Sequence, residues 1–374
     1  MERVPVVPRS GYREKIEALG FDFHGDYWRE EACYHFTARE IEQLETATAE
    51  AYRMYCEAAA YLIEEKPEGM ERALGLPREV CERIRDSWDA DELSLYGRFD
   101  FLLDRNGIPK ILEFNADTPT SLLEASVIQW QWKEDVCPQY DQYNGIHEGL
   151  VQSWKDIFPE GGAIHFAGVL DNSEDTGTLQ YLASTAMEAG FSTRVLDNDL
   201  DLQDGIFHDP SGDVVKRCFK LYPWEWMADE SPAGCLADVT WVEPVWKLVM
   251  SNKAILCTLF ELFPDSPYVL PCYLSRPQSG LYCKKPVFSR EGHNVSMLEI
   301  HDWEERIRLP ETEGEYNTGA YVYQQYVEPT VYQGRYPVIG SWIVGGEPAG
   351  IGIRENRSEV TDNLSEFVPH IIVG

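Results

Sequence analysis

Residues 98–115 read Arg-Phe-Asp-Phe-Leu-Leu-Asp-Arg-Asn-Gly-Ile-Pro-Lys-Ile-Leu-Glu-Phe-Asn. Side chains of an extended chain alternate between two faces. Arg98, Asp100 and Leu102 therefore share one face of a first strand, and Ile111, Glu113 and Asn115 share one face of a second. Between them, Asn106-Gly107 has the chemistry of a hairpin turn. Pairing the strands makes Asp100, Glu113 and Asn115 converge. Two carboxylates and an amide oxygen suit a hard cation such as Mg²⁺, which takes its remaining ligands from water and nucleotide phosphates. The same alternation also fits a hairpin whose polar face is merely solvated.

Upstream, Thr37 followed by Glu40 is a capping-box signature. Ile41, Leu44, Ala47, Ala51, Tyr55, Ala58 and Leu62 then recur at helical spacing and predict a long amphipathic helix packed on a core. Downstream, Ser121 to Trp132 reads as an apolar helical stretch that backs the two strands, with Trp130 and Trp132 packing. From Ala163 the pattern changes to strand (164–169), helix (178–189) and strand (192–196), a β-α-β unit whose helix ends at Gly190. Asp171 to Asp175 form the loop past the first strand, where open parallel sheets bind ligands. No G-x-G-x-x-G follows that strand, so neither a dinucleotide nor a dehydrogenase is indicated. Further on, 282–288 and 294–298 read as strands joined by Ser289 to His293. A loop with Gly292 near its centre suits closure over a triphosphate, and suits a plain hairpin as well. Tyr321–Val327 and Ser341–Val344 are expected to complete an antiparallel set, turning at Gly345-Gly346.

A chain of 374 residues exceeds one simple core and suits about two or three lobes. Its 44% hydrophobic and 12% aromatic content marks a folded globular protein. The 64 acidic against 32 basic residues give a formal charge of −32, which repels nucleic acid and anionic membranes, so neither is an expected partner. That field would draw in a cationic substrate, although an acidic surface alone accounts for it equally well. Nine cysteines show no Cys-x-x-Cys pair and read as reduced thiols; the N-terminus has no apolar signal region, and a cytoplasmic location is expected. No apolar run nears the roughly 20 residues that span a bilayer.

Lys253 and Lys285 are candidates to hold phosphate oxygens as point charges, and Arg354 to fork onto a migrating phosphoryl group. Singly, each reads as an ordinary surface cation. Together with the oxygen triad they carry a resemblance. The segments Gly97-Arg98-Phe99-Asp100-Phe101, Leu112 to Pro119, Ser251 to Leu256, Lys285-Pro286 with Arg290 to Val295, and Ile353-Arg354-Glu355 resemble the glutathionylspermidine synthase family, over about residue 20 to the end. The separate amidase domain of its bifunctional members has no counterpart in the sequence, so only synthetase chemistry carries over.

The resemblance implies an α+β chain with a Rossmann-like α/β part and an ATP-grasp fold, circularly permuted because the metal ligands precede the lysines, with antiparallel sheets clamping ATP. It divides the chain into a metal-strand lobe (1–135), a Rossmann-like substrate domain (136–245), a lid lobe (246–335) and a return to the first lobe (336–374). It implies an ATP-dependent acid–amine ligase that forms an amide through an acyl phosphate. Asp100, Glu113 and Asn115 would hold Mg²⁺. ATP would be held by Arg98, Lys253, Lys285, Gly292, Gln324, Gln325, Tyr326 and Val327, with either glutamine facing adenine. Arg98 and Arg354 would act in catalysis, and Thr118, Glu174, Asp175 and Glu225 would contact substrates. Glutathione and a polyamine are candidate substrates. A small-molecule kinase and a non-catalytic ATP-binding homologue use the same residues and stay open as alternatives.

Overall fold

The computed structural model describes all residues except 24, 26, 291, 315, 317, 318 and 360–364. Among the described residues the fold is mixed α+β, with antiparallel and parallel sheets. At its centre five antiparallel strands run in the order β18 (Glu366–Val368), β17 (Glu347–Asn356), β16 (Tyr336–Val344), β3 (Tyr96–Leu103) and β4 (Pro109–Asn115). A second antiparallel sheet has the order β11 (Cys272–Tyr273), β15 (Tyr321–Gln325), β12 (Gly280–Pro286), β13 (Ser296–His301) and β14 (Glu304–Leu309). The parallel sheet comprises β10 (Thr240–Val242), β9 (Arg217–Leu221), β5 (Ala163–Gly168) and β6 (Ser192–Asp197). A small sheet of β1 (Glu2–Pro5), β2 (Ala32–Phe36) and β19 (His370–Ile372) brings the two ends of the chain together, and β7 (Asp201–Gln203) with β8 (Ile206–His208) forms a hairpin.

The helix Ala38–Ala60 begins on the expected capping box: Thr37 accepts from the Glu40 N–H, and the Glu40 carboxylate accepts from the Thr37 N–H. Its apolar stripe lies in the same buried cluster as Phe99, Phe101 and Phe114 beneath the central sheet. Tyr55 meets Phe99 and Phe114 edge-on, with ring centroids at 5.2 and 5.3 Å. A second buried cluster joins the stretch after Leu122 to the parallel sheet through Trp132, Trp154, Phe166 and Phe219. The β-α-β unit is present as β5, the helix Ser173–Glu188 and β6, and Gly190 takes a φ of 103° just past the helix. This helix starts five residues earlier than its apolar spacing suggests, because Asn172 caps it by accepting from the Glu174 N–H at 2.9 Å.

Asn106 and Gly107 fall in the hairpin turn as expected, within a loop that Asp104 organises: its Oδ1 accepts from the Asn106 and Ile108 N–H groups, and Gly107 takes φ 75°. Three other local expectations are corrected. Ile111 does not share the face of Glu113. A β-bulge shifts the register from Asp100↔Glu113 to Phe101↔Ile111, which leaves Leu112 on the polar face and sends Ile111 into the core. The 321–327 and 341–344 segments belong to different sheets, as β15 and part of β16. Trp132 is buried as expected, whereas Trp130 stays 40% exposed with the Lys133 ammonium over its ring.

Candidate active site

A cleft opens between the central sheet and the β11–β14 sheet, lined from one wall by β3, β4 and β17 and from the other by β12 and β15. On the first wall Asp100 lies directly opposite Glu113, and Arg98 opposite Asn115. Paired residues of antiparallel strands share a face, so all four side chains enter the cleft together. Asp100 is buried and receives two arginines. Arg98 donates from Nε at 2.7 Å and Nη2 at 3.2 Å, and Arg354 from Nη2 at 2.9 Å. Strand β16 lies between Arg354 and Asp100 and presents Gly340 opposite Asp100. A Cβ at Gly340 would stand 2.8 Å from Arg98 Cδ, so glycine is what lets Arg98 lie across the strand. Burial works against the charge of Arg98, but Asp100 more than compensates and its pKa rises.

The second wall supplies lysines. Lys253 donates to the Ser289 carbonyl at 2.6 Å and pairs with Glu113 at 3.1 Å. Lys285 donates to Gln324 Oε1 at 2.8 Å and to the Leu112 carbonyl at 3.2 Å, while Gln324 Nε2 donates to the Ile111 carbonyl at 2.9 Å. Backbone carbonyls on the open edge of β4 thus receive donors from the other sheet, which joins the two walls. Burial would push the Glu113 carboxyl up; Lys253 and Lys285 outweigh it and hold the group at about 2.

The donor set fits Mg²⁺. Among the described residues no three or more His, Cys, Asp or Glu side chains cluster as metal ligands. A pair of facing carboxylates with an adjacent amide is nevertheless what Mg²⁺ takes when phosphates and water complete its shell. Asn115 would supply that amide through its Oδ1; among the described residues its Nδ2 is buried without a partner.

Thirteen of the anticipated site residues line this one cleft: Arg98, Asp100, Glu113, Asn115, Thr118, Lys253, Lys285, Gly292, Gln324, Gln325, Tyr326, Val327 and Arg354. Gln324 is buried and engaged at both ends of its amide, whereas Gln325 is exposed. Glu174, Asp175 and Glu225 are not among the lining residues. Glu225 meets the cleft through Arg290, while Glu174 and Asp175 sit in the first turn of the Ser173–Glu188 helix. Of the loop Arg290 to Asn294, Glu291 lies outside the described residues.

Sequence reasoning missed three groups beside the cleft. Arg290, read within a motif loop but given no contact of its own, lines the cleft and donates to Thr118 Oγ1 and Glu225 Oε1, each at 2.6 Å. Asp117 forms a buried pair with Lys220 of β9 at 2.7 Å. Glu124 is buried, its Oε1 without a partner among the described residues; burial and then the charge of Glu174 push its carboxyl up to about 8. Arg290 and Asp117 stood inside the motif segments, and that was their only signal. Lys220 and Glu124 had none.

Among models of known families, the one described as glutathionylspermidine synthase preATP-grasp matches residues 3–373. The chain belongs to this family. It is 36% identical over its full length to a Haemophilus influenzae protein, also covered in full, that is named as a candidate acid–amine ligase. It is 28% identical to the trypanothione synthetase of Crithidia fasciculata over 79% of this chain and 50% of that protein. Against the bifunctional glutathionylspermidine synthetase/amidase of Escherichia coli it is 26% identical over 91% of this chain and 59% of that protein. The chain therefore spans the whole of the first relative and only about half of the other two. These relatives are named as ligases and synthetases, and the chain is an enzyme of the C–N ligase class. Among the described residues no helix is long and apolar enough to cross a membrane.

Proposed function

We propose that the chain is an ATP-dependent carboxylate–amine ligase with a circularly permuted ATP-grasp arrangement, which activates an acid as its acyl phosphate and passes the acyl group to an amine. The observation that carries this reading is the opposition of Asp100 and Glu113 in a cleft whose far wall holds Lys253 and Lys285. In this reading residues 1–135 and 336–374 form one half of the nucleotide clamp, 246–335 the other, and 136–245 a substrate domain. Asp100, Glu113 and Asn115 would hold Mg²⁺, which when bound neutralises the charge of the ATP phosphates.

The chain's own groups account for the rest. Lys253 and Lys285 bind phosphate oxygens as point charges, and each lies in reach of the carboxylate wall. Arg98 and Arg354 converge on Asp100 from two strands, so both guanidinium groups face the place where a phosphoryl group would leave ATP. The acid's carboxylate oxygen attacks the γ-phosphorus, the bond to ADP breaks, and the amine nitrogen then displaces phosphate from the acyl carbon with loss of a proton. Water must be excluded while the acyl phosphate exists, a role that suits the loop carrying Arg290 and Gly292. Gln325, Tyr326 and Val327 line the cleft where adenine would lie, and Gln324 secures the wall behind them.

Thr118, Glu225, Glu174 and Asp175 are the proposed substrate contacts, and the three carboxylates among them suit a cationic amine. Glutathione and spermidine enter as first substrates to try because the names of the glutathionylspermidine synthetases among the relatives contain them. Nine free cysteines fit work in a reducing cytoplasm. A screen of acids against amines for phosphate release, followed by mass measurement, tests the reading. The expected product is acid plus amine minus water, formed only when both are present. A stable phosphorylated product from one substrate alone would identify a kinase instead.

A further inference from the structure

Asp117 precedes Thr118, and Trp224 precedes Glu225. Those two followers are the residues that grip Arg290. Asp117 itself joins the two segments: Oδ2 accepts from the Trp224 backbone N–H at 2.8 Å, and Oδ1 from Lys220 Nζ at 2.7 Å. Lys220 also donates to the Tyr222 carbonyl at 2.9 Å and lies 4.2 Å from the centre of the Trp224 ring. The helix Trp224–Glu230 has Pro223 at its N-cap and no capping side chain of its own, so Asp117 supplies the missing acceptor from another segment. Both side chains of the ion pair are almost wholly buried, 2% exposed for Lys220 and 1% for Asp117.

Such a pair is weak as a source of stability, since apolar groups of equal volume commonly replace one without loss. Its geometric role is more specific. One carboxylate fixes two segments that hold the two ends of one guanidinium, while Arg290 Nε is buried beside the cleft without a partner among the described residues. We propose that Asp117 is a positioning residue that seats Arg290 at the reaction cleft by clamping the segment after β4, which carries Thr118, to the helix that carries Glu225. The consequence for turnover rests on the ligase reading above, and the clamp itself does not.

Two double variants separate the roles. Asp117→Leu/Lys220→Met removes the buried pair without stranding a charge and leaves the Trp224 N–H without its acceptor. Asp117→Asn/Lys220→Met removes the same charges but keeps an oxygen for that N–H. Hydrogen exchange of residues 224–230 is expected to accelerate roughly tenfold in the leucine pair and to return to the wild-type rate in the asparagine pair. With an acid–amine pair in hand, kcat should fall on the order of a hundredfold in the first and recover in the second, with the KM for ATP changing far less. Wild-type exchange in the leucine pair, or faster exchange with wild-type kcat, would overturn the proposal. If the leucine pair does not fold, the asparagine pair still decides: wild-type exchange together with lost turnover would show that the clamp does not seat Arg290. The exchange measurement needs no substrate, so ligation intact with exchange unmoved sinks this inference alone, and absence of ligation leaves the clamp to be judged by exchange.

Discussion

Asp100 and Glu113 face each other across one strand pair but bear different loads. Asp100 is buried between Arg98 and Arg354, so Asp100→Ala leaves two guanidinium groups close together without a counter-charge. That change should cost about 3–5 kcal/mol of stability in addition to turnover. Glu113 is 26% exposed and answers mainly to Lys253, so Glu113→Gln should lower ATP turnover at least about a hundredfold with little change in Tm. Thermal unfolding of both variants beside their kinetics checks the contrast; equal Tm losses would contradict it. Glu124 presents a separate case. Its carboxyl is raised from 4.5 to about 8, so between those values the native state keeps a proton that the unfolded chain releases, and stability falls as pH rises through that window. Glu124→Gln has no such slope. Urea unfolding should find it more stable than wild type at pH 8 by on the order of 4 kcal/mol, with the gap closing near pH 4.5; an equal gap at both would remove the assignment.

The strands that hold the site depend on what their neighbours omit as much as on what they carry. Gly340 on β16 is the space over which Arg98 lies, with Arg354 reaching Asp100 across the same strand. Gly340→Ala should leave the sheet paired and displace Arg98, lowering kcat roughly tenfold to a hundredfold; wild-type kcat in a folded variant would show that Arg98 has another route. Much of this element was legible beforehand, because period-two alternation assigns Arg98, Asp100, Glu113 and Asn115 to matching faces without help from the rest of the chain. The bulge at Leu112 was not. Counting back by twos from Asn115 reaches Ile111 as naturally as Glu113, and no glycine marks the extra residue; only the register against β3 reveals it. The carbonyls of Ile111 and Leu112, turned to Gln324 and Lys285, likewise depend on a sheet some two hundred residues away in the chain.

At the scale of the molecule, the capping box, the β-α-β unit and the antiparallel hairpins could be read because each rests on local spacing. Contacts between distant segments had no local sign. The β16–β3 pairing, the small sheet that joins β1 and β2 to β19, and the buried Asp117–Lys220 pair are set by tertiary packing alone. Arg290 belongs with them, since its partners Thr118 and Glu225 come from two other parts of the chain. What unites these segments is one cleft with carboxylates on one wall and lysines on the other, and the chemistry proposed for it has an atomic signature. An acyl phosphate must hand one oxygen of the substrate carboxylate to inorganic phosphate. The deciding measurement is therefore turnover with an acid labelled with ¹⁸O in its carboxylate, followed by mass analysis of the released phosphate. One labelled oxygen per phosphate, appearing only when the amine is present and lost in Glu113→Gln, is the expected result. Unlabelled phosphate from an enzyme that still makes the amide would contradict acyl-phosphate activation outright.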